Sequence, residues 1–416
     1  MSGFKLKNLV FPADKRSEIT LFCEDENLLQ GISAAYISEN GTHQDGSMPE
    51  KLKDYEPVPF EICGNMLTFD LYLAGEGSHT IKICCKNADE ELYEEFEIYS
   101  LKDDLYGVFP YKGNLHCHTA DSDGRYSPQE TLCIAREAGF DFTAFSEHRM
   151  FTDHSTDCAE IISKLGIALF RAEEVHSLPL WICHILSFGA SSGISDMQSN
   201  ASYQEKVSAA MHYFSDISEE WRSYAAQFMV INDLIKLHGG VSILCHLFWM
   251  HSGRFNVPPE LTSVILKRVS FDAVEAVSSD AGNVSLANAS LMEFSASGCR
   301  QVCVAGSDWH GCRGERMGEA FNIVFARKCT ESDIAGAIKA GRCVAVYGEE
   351  NPVVYGDFRL VKYACFLLRN FYPLRDLNAE RLGVLMLSAM GGETAFLAEI
   401  DTLKIQLELQ LKMLKG

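Results

Sequence analysis

The sequence predicts an α/β protein in which strands and helices alternate around a barrel, with a β-rich domain before it and a helical segment after it. Three observations predict this. Residues 1–110 read as short strands between turns, polar and apolar side chains alternating. From 111 to 350, apolar runs of strand length alternate with helical segments. That alternation is the pattern of a parallel sheet, and seven or eight such units suggest a barrel. From 351 to 416 the apolar residues are spaced by three and four, as on a helix.

In the first segment, Glu18–Cys23, Leu67–Leu73 and His79–Cys84 carry the alternation, which fits a small β-sandwich. The acidic run from Asp89 to Glu97 reads as a solvated strand edge or turn. In the second segment the strand-length runs are Asn114–His118, Phe142–His148, Ile167–Glu174, Trp181–Phe188, Val241–His246, Asp272–Val277 and Gln301–Asp308. Helix starts are legible between them. Ser127-Pro128-Gln129-Glu130 is a capping box with proline at the first helical position. Thr330 opens a second helix that Gly341 closes, and Gly239-Gly240 ends a long helical region beginning near Tyr203. In the third segment Leu360–Phe371 is mostly apolar, and Phe396, Ile400, Leu403, Leu407, Leu411 and Leu414 form a stripe. That stripe predicts a helix packed on its own chain, or a homo-oligomer seam through the C-terminal helix.

Composition narrows the function. The 416 residues carry 36 basic and 57 acidic side chains, a net charge of −21, which repels nucleic acid and anionic membrane surfaces. A small anionic substrate remains open to it, because a bound metal inverts the local field. No run of eighteen apolar residues occurs, and the apolar stretch Leu9–Pro12 is too short for a signal-peptide core. The 15 cysteines are scattered and contain no CxxC, so they read as reduced thiols in a cytoplasmic protein.

Chemistry gathers at the strand ends. The first run ends in His116-Cys117-His118, with Asp123 just beyond; the second ends at His148 and the third in Glu173-Glu174. The fourth carries His184, the fifth ends at His246, the sixth carries Glu275, and the seventh leads into Asp308-Trp309-His310. Active sites of parallel barrels lie at the carboxyl ends of the strands, so residues nearly two hundred positions apart converge on one rim. Imidazole and carboxylate are ligands for zinc, manganese or iron. Residues two apart on a strand share a face, so His116 and His118 can chelate one ion. A lone histidine pair is weak, but six of 13 histidines fall at these ends, and burying them with several carboxylates is costly without a metal. The other seven, His43, His79, His154, His176, His212, His238 and His251, read as structural or surface residues.

The motifs Asn114–Thr119, Ser122–Gly124, Ser146–His148, Ala172–Glu174, His184–Leu186, Cys245-His246 and Gly306–His310 together resemble the PHP (polymerase and histidinol phosphatase) superfamily. The β-rich leader is similar, more loosely, to the carbaryl-hydrolase-like (CehA-type) branch. The resemblance implies a distorted (β/α)7 barrel with a trinuclear metal site. It implies His116, His118, Glu174 and Asp308 around one ion, and Glu174 bridging to a second completed by His184 and His246. It implies Asp123, His148 and His310 around a third. Glu174 is preferred to Glu173 because the ten-residue step to His184 matches the family spacing. The chain departs from the family at Glu147, where Asp is usual, at Ala172, where Gly is usual, and at Leu247, where Pro is common.

Paired divalent ions lower the pKa of a bridging water and neutralise charge developing on an ester. The expected activity is therefore metal-dependent ester hydrolysis, first as a phosphoesterase on a small molecule, with two or three divalent ions. A carboxylester or carbamate hydrolase is the alternative, with nuclease and metal-holding binding module behind it. The candidate catalytic residues are Asp308, His310 and Glu275; Glu275 either orients a ligand, contacts substrate or is a capped buried carboxylate. Arg254, His251 and Arg149 are candidates to hold a phosphate, each with a plain loop residue as the alternative.

Overall fold

The computed structural model describes residues 3–39, 56–87, 90–278, 281–298 and 301–415. The chain divides into two compact units. The first comprises residues 1–109, 362–375 and 405–416, and the second comprises 110–361 and 376–404. The three helices that follow residue 356, Phe358–Asn370, Tyr372–Met390 and Leu397–Met413, are thus shared between the units.

The first unit holds two antiparallel-rich sheets. One orders Phe4–Leu6, Lys15–Cys23, Met66–Leu73 and Glu61–Cys63; the other orders Val10–Pro12, Glu90–Leu101, Gly77–Asn87, Ile32–Glu39 and Glu56–Pro57. Alternation along the strands fills one core between them: Ile19 and Leu21, Leu67, Phe69, Leu71 and Leu73, and Ile81 and Ile83 are all buried. The acidic run falls on the strand Glu90–Leu101, where Glu95 pairs with Lys82 at 2.8 Å; Asp89 and His43 lie outside the described residues. The last helix returns to this unit. The amides of Leu9 and Val10 donate to the Leu414 carbonyl, and the Lys415 ammonium donates to the carbonyls of Leu105, Tyr106 and Val108.

The second unit is a mixed α/β body built on ten strands: β1 (Phe109–Cys117), β2 (Phe142–Phe145), β3 (Ala168–His176), β4 (His184–Phe188), β5 (Val241–Leu244), β6 (Ala273–Val277), β7 (Cys303–Ala305), β8 (Ala320–Ala326), β9 (Cys343–Tyr347) and β10 (Val353–Gly356). Their order is β7-β6-β5-β4-β3-β2-β1-β8-β9-β10. Strands β1, β2, β3, β5, β6 and β7 run alike, but β4 is antiparallel to both β3 and β5. This departs from the all-parallel expectation. The seven residues between β3 and β4 are too few for a crossover, so the chain turns straight back. Strands β8–β10, which the sequence reading did not separate, extend the sheet beyond β1.

The sheet curls so that the segment following β7 meets the end of β1. Cys117, at the end of β1, bridges to Trp309, and the His118 amide donates to the Trp309 carbonyl at 2.9 Å. Where β7 and β8 leave a gap, the buried Asn322 amide spans it: its Oδ1 accepts from the Ala305 amide at 2.8 Å and its Nδ2 donates to the Ala305 carbonyl at 2.7 Å. Helices cover the outside. Helix α1 (Pro128–Glu137) starts at the capping box, with Ser127 Oγ accepting from the Glu130 amide and Glu130 accepting from the Ser127 amide. The region from Tyr203 to Gly239 is two helices, Ala201–Met211 and Glu219–Leu237, not one.

Candidate metal centre

The strand ends of the second unit bring the candidate residues together. His116 and His118 leave the end of β1 with both rings fully buried. Glu174 and His176 lie on one face of β3, two apart, and His176 stands directly across from His184 on β4. Because β4 runs backwards, its first residue, not its last, reaches the rim; this is why His184 joins residues at the ends of parallel strands. His246 and Asp308 follow β5 and β7 with φ of 21° and 50°, left-handed conformations that non-glycine residues adopt at a cost and that recur at functional sites.

Three overlapping groups result. In the first, Asp308 Oδ1 is 3.1 Å from both His116 Nε2 and His118 Nε2, and Glu174 Oε2 is 3.6 Å from each. In the second, Glu174 Oε1 is 2.7 Å from His184 Nδ1 and 3.2 Å from His246 Nε2. In the third, Asp123 Oδ1 is 3.4 Å from His148 Nε2 and 3.3 Å from His310 Nε2, with those two nitrogens 3.5 Å apart. All nine of the metal-ligand candidates read from the sequence are therefore in one cluster. The first and third groups can each hold an ion, the third with His118 as well; Glu174 and His246 form a further candidate group with Cys245.

These residues fit a cation better than they fit one another. Ligand atoms around a tetrahedral ion bound at about 2.0–2.1 Å stand roughly 3.3–3.4 Å apart, close to the first and third sets. Although His116 Nε2 and Glu174 Oε2 lie within contact distance of the cluster, neither has a hydrogen-bond partner among the described residues, and both are fully buried. Three outer ring nitrogens are held instead: His116 Nδ1 meets Glu275 Oε1 at 2.7 Å, His184 Nε2 meets the Trp181 carbonyl at 3.0 Å, and His310 Nδ1 meets the Asp308 carbonyl at 2.8 Å, whereas the buried His118 Nδ1 has no partner among the described residues. In a neutral ring, an N–H pointing outward to an oxygen leaves the lone pair of the other nitrogen pointing inward, as a ligand requires. Burial opposes a second proton on His116, but Glu275, Asp308 and Glu174 draw one onto it, and a cation would displace that proton.

Charge is arranged the same way. Burial opposes ionisation of Glu174, but His184 and His116 outweigh it and hold the carboxyl well below its usual range. Asp308 is held down against burial by His116 and His118. Burial pushes His118 down to about 4 despite Asp308, so its ring is neutral at pH 7. Three carboxylates with imidazoles form an N/O donor set suited to zinc, manganese or iron.

A surrounding layer fixes the cluster. Glu275 lies behind it, buried: besides holding His116, its Oε2 accepts from the His246 amide at 2.6 Å, so both oxygens are engaged. Gly306 permits this, since a Cβ there would stand 1.9 Å from Glu275 Oε1. Glu147 accepts from the Thr119 amide at 3.0 Å, from Thr119 Oγ1 at 2.6 Å and from Ser122 Oγ, and so ties down the loop that carries Asp123. Glu173 points away from Glu174 and accepts from the amides of Ile194 and Ser195.

The phosphate-holding candidates are not gathered in this way. Arg254 and His251 sit exposed on the small hairpin of Met250–His251 and Arg254–Phe255, and among the described residues no hydrogen bond or ion pair joins them to the cluster. Arg149 follows His148; its amide donates to the Glu174 carbonyl at 2.9 Å and its guanidinium lies 5.8 Å from the Trp181 ring centre. The sequence reading passed over His176, whose Nε2 is 3.1 Å from His148 Nδ1 and 3.5 Å from Glu174 Oε2. The period-two step from Glu174 was the available signal. Beside His184 and His246 lies a shallow cleft lined mainly by apolar residues including Leu247, Phe248, Trp249 and Val257.

No family model matches the chain, and no curated protein does. Among solved structures it is similar to a two-domain protein from Bacteroides vulgatus described as containing a predicted PHP-like metal-dependent phosphoesterase: 18% identity over 62% of this chain and 69% of that one, TM-score 0.40. It is also similar to an amidohydrolase from Chromobacterium violaceum, with 16% identity over 50% of this chain and 89% of that one, TM-score 0.35. The family that the sequence motifs resemble, PHP, is thus also named in the description of a similar solved structure.

Proposed function

We propose that the chain is a metal-dependent hydrolase of the PHP type, with β1–β7 as its distorted (β/α)7 barrel, and that it acts as a phosphoesterase on a small phosphate ester. The observation that carries the proposal is the convergence of nine imidazole and carboxylate side chains, with His116 Nε2 and Glu174 Oε2 buried without a hydrogen-bond partner among the described residues. His116, His118, Glu174 and Asp308 would hold one ion, Glu174, His184 and His246 a second, and Asp123, His148 and His310 a third. Bound divalent ions supply an acidified water and positive charge for the ester oxygens. The protein's own part is orientation. Glu275 fixes His116 and the His246 backbone, Glu147 fixes the Asp123 loop, and the apolar cleft beside His184 and His246 receives the organic part of the substrate. Asp123, whose side chain is 58% exposed, and His310 face the solvent side, where a proton can reach the leaving group. The scattered cysteines suit a reducing compartment, the cytoplasm.

The test is turnover of a phosphate monoester and of an acetate ester by the same preparation, before and after chelation. The reading expects the phosphate ester to be cleaved faster, and the activity to vanish with chelator and return with zinc, manganese or iron. Faster acetate cleavage would make the enzyme a carboxylester hydrolase, and turnover indifferent to chelation would remove the metal reading.

A further inference from the structure

We propose that His176 is a positioning residue of the metal centre: its Nε2 accepts the Nδ1–H of His148 and so turns the Nε2 lone pair of His148 toward Asp123 and His310. This rests on the metal-centre reading above. Three of the inward-facing histidines have their outer nitrogen held by an oxygen, from Glu275, the Trp181 carbonyl and the Asp308 carbonyl. His148 has no such oxygen in hydrogen-bond alignment. Glu174 Oε2 lies 2.7 Å from His148 Nδ1 and interacts with it electrostatically, but it stands out of line with the ring N–H and is the oxygen that faces His116 and His118. The aligned acceptor is His176 Nε2 at 3.1 Å.

The surroundings hold His176 in that role. Its ring is buried and stacks on His184 with centroids 4.2 Å apart, and Trp181 closes over it at 5.1 Å. Its backbone carbonyl accepts from Gln198 Nε2 at 2.7 Å, which fixes the strand end from behind. With Nε2 accepting, the ring's own proton lies on Nδ1, a buried atom with no acceptor among the described residues, so the arrangement carries a desolvation cost that the ring stack and the bond to His148 must offset. An imidazole acceptor also adds no negative charge beside Glu174. A residue that orients a metal-bound histidine is worth 10–100-fold in metal affinity.

The experiment measures zinc retained per full-length chain across a series of buffered free-zinc concentrations, for the parent and for His176→Gln, His176→Phe and His176→Ala. Melting curves check that each variant is folded. Glutamine offers an acceptor oxygen near the Nε2 position, whereas phenylalanine keeps the ring stack without an acceptor. The expected result is that Phe and Ala weaken one equivalent of zinc by about 10–100-fold while Gln stays within a few-fold of the parent. Parental zinc retention in the Phe variant would overturn the proposal and leave His176 a packing residue. Equal loss in Gln, Phe and Ala would also overturn it, making the histidine nitrogen itself a ligand. A parent that takes up no zinc would instead bring down the metal-centre reading.

Discussion

At the scale of single residues, the adjacent carboxylates Glu173 and Glu174 show how one register decides chemistry. Neighbours on a strand face opposite sides. Glu174 meets His184, His246, His116 and His118, whereas Glu173 serves the backbone amides of Ile194 and Ser195. Replacing Glu174 with Gln keeps the volume and removes the charge facing the cations, so hydrolysis should be abolished and metal content should fall. Glu173→Gln should leave metal content near the parent's and cost about 1–3 kcal/mol of stability, because a charged acceptor of two buried amides is weakened. Metal analysis and melting of both variants side by side checks this; a metal-poor Glu173→Gln with a normal Glu174→Gln would reverse the assignment. The ten-residue spacing to His184 had already selected Glu174. His176 is marked in the sequence only by its period-two step from Glu174, a signal that a scatter of other histidines conceals.

At the scale of elements, the seven apolar runs were legible because each combined strand length with a ligand-type residue near its end. The same criterion hid β8 and β9: Ala320–Ala326 and Cys343–Tyr347 are buried apolar strands with no imidazole or carboxylate to mark them. Strand direction was not legible either. It depends on the short β3–β4 connection, which an assumption of uniform alternation overlooks. The capping box at Ser127, by contrast, is local chemistry and stands as read. Closure of the sheet depends on a long-range pair, Asn322 with Ala305, seventeen positions apart in sequence. Asn322→Leu keeps the size and strands the Ala305 amide and carbonyl in the interior. It should destabilise the protein by about 2–4 kcal/mol, read as a lower denaturant midpoint at unchanged slope. An unchanged midpoint would mean that the seam does not need the amide.

At the scale of the whole molecule, the two units make separate demands. In the first, His79 is buried, its Nε2 lies 2.8 Å from Ser100 Oγ, and that hydroxyl donates to the Gly75 carbonyl at 2.7 Å, so Nε2 is the donor and Nδ1 has no partner among the described residues. Protonation would bury a second N–H with no acceptor, and burial pushes the ring from 6.5 down to about 4. The unfolded chain therefore takes the proton first. The contribution of neutral His79 is complete above about pH 6.5 and is lost as the pH falls toward 4. Melting temperatures of the parent and His79→Gln, measured from pH 7.5 to 4.5, should show the parent losing ground relative to the variant; a constant difference would contradict this. In the second unit the demand is charge balance. Glu174 and Asp308 are held ionised inside the protein, and the cations proposed above would balance them. The most direct test is elemental analysis of the chain purified without chelator and then supplied with zinc, manganese or iron. The account predicts two or three divalent ions per chain. A chain that stays free of metal under all three supplies would contradict it.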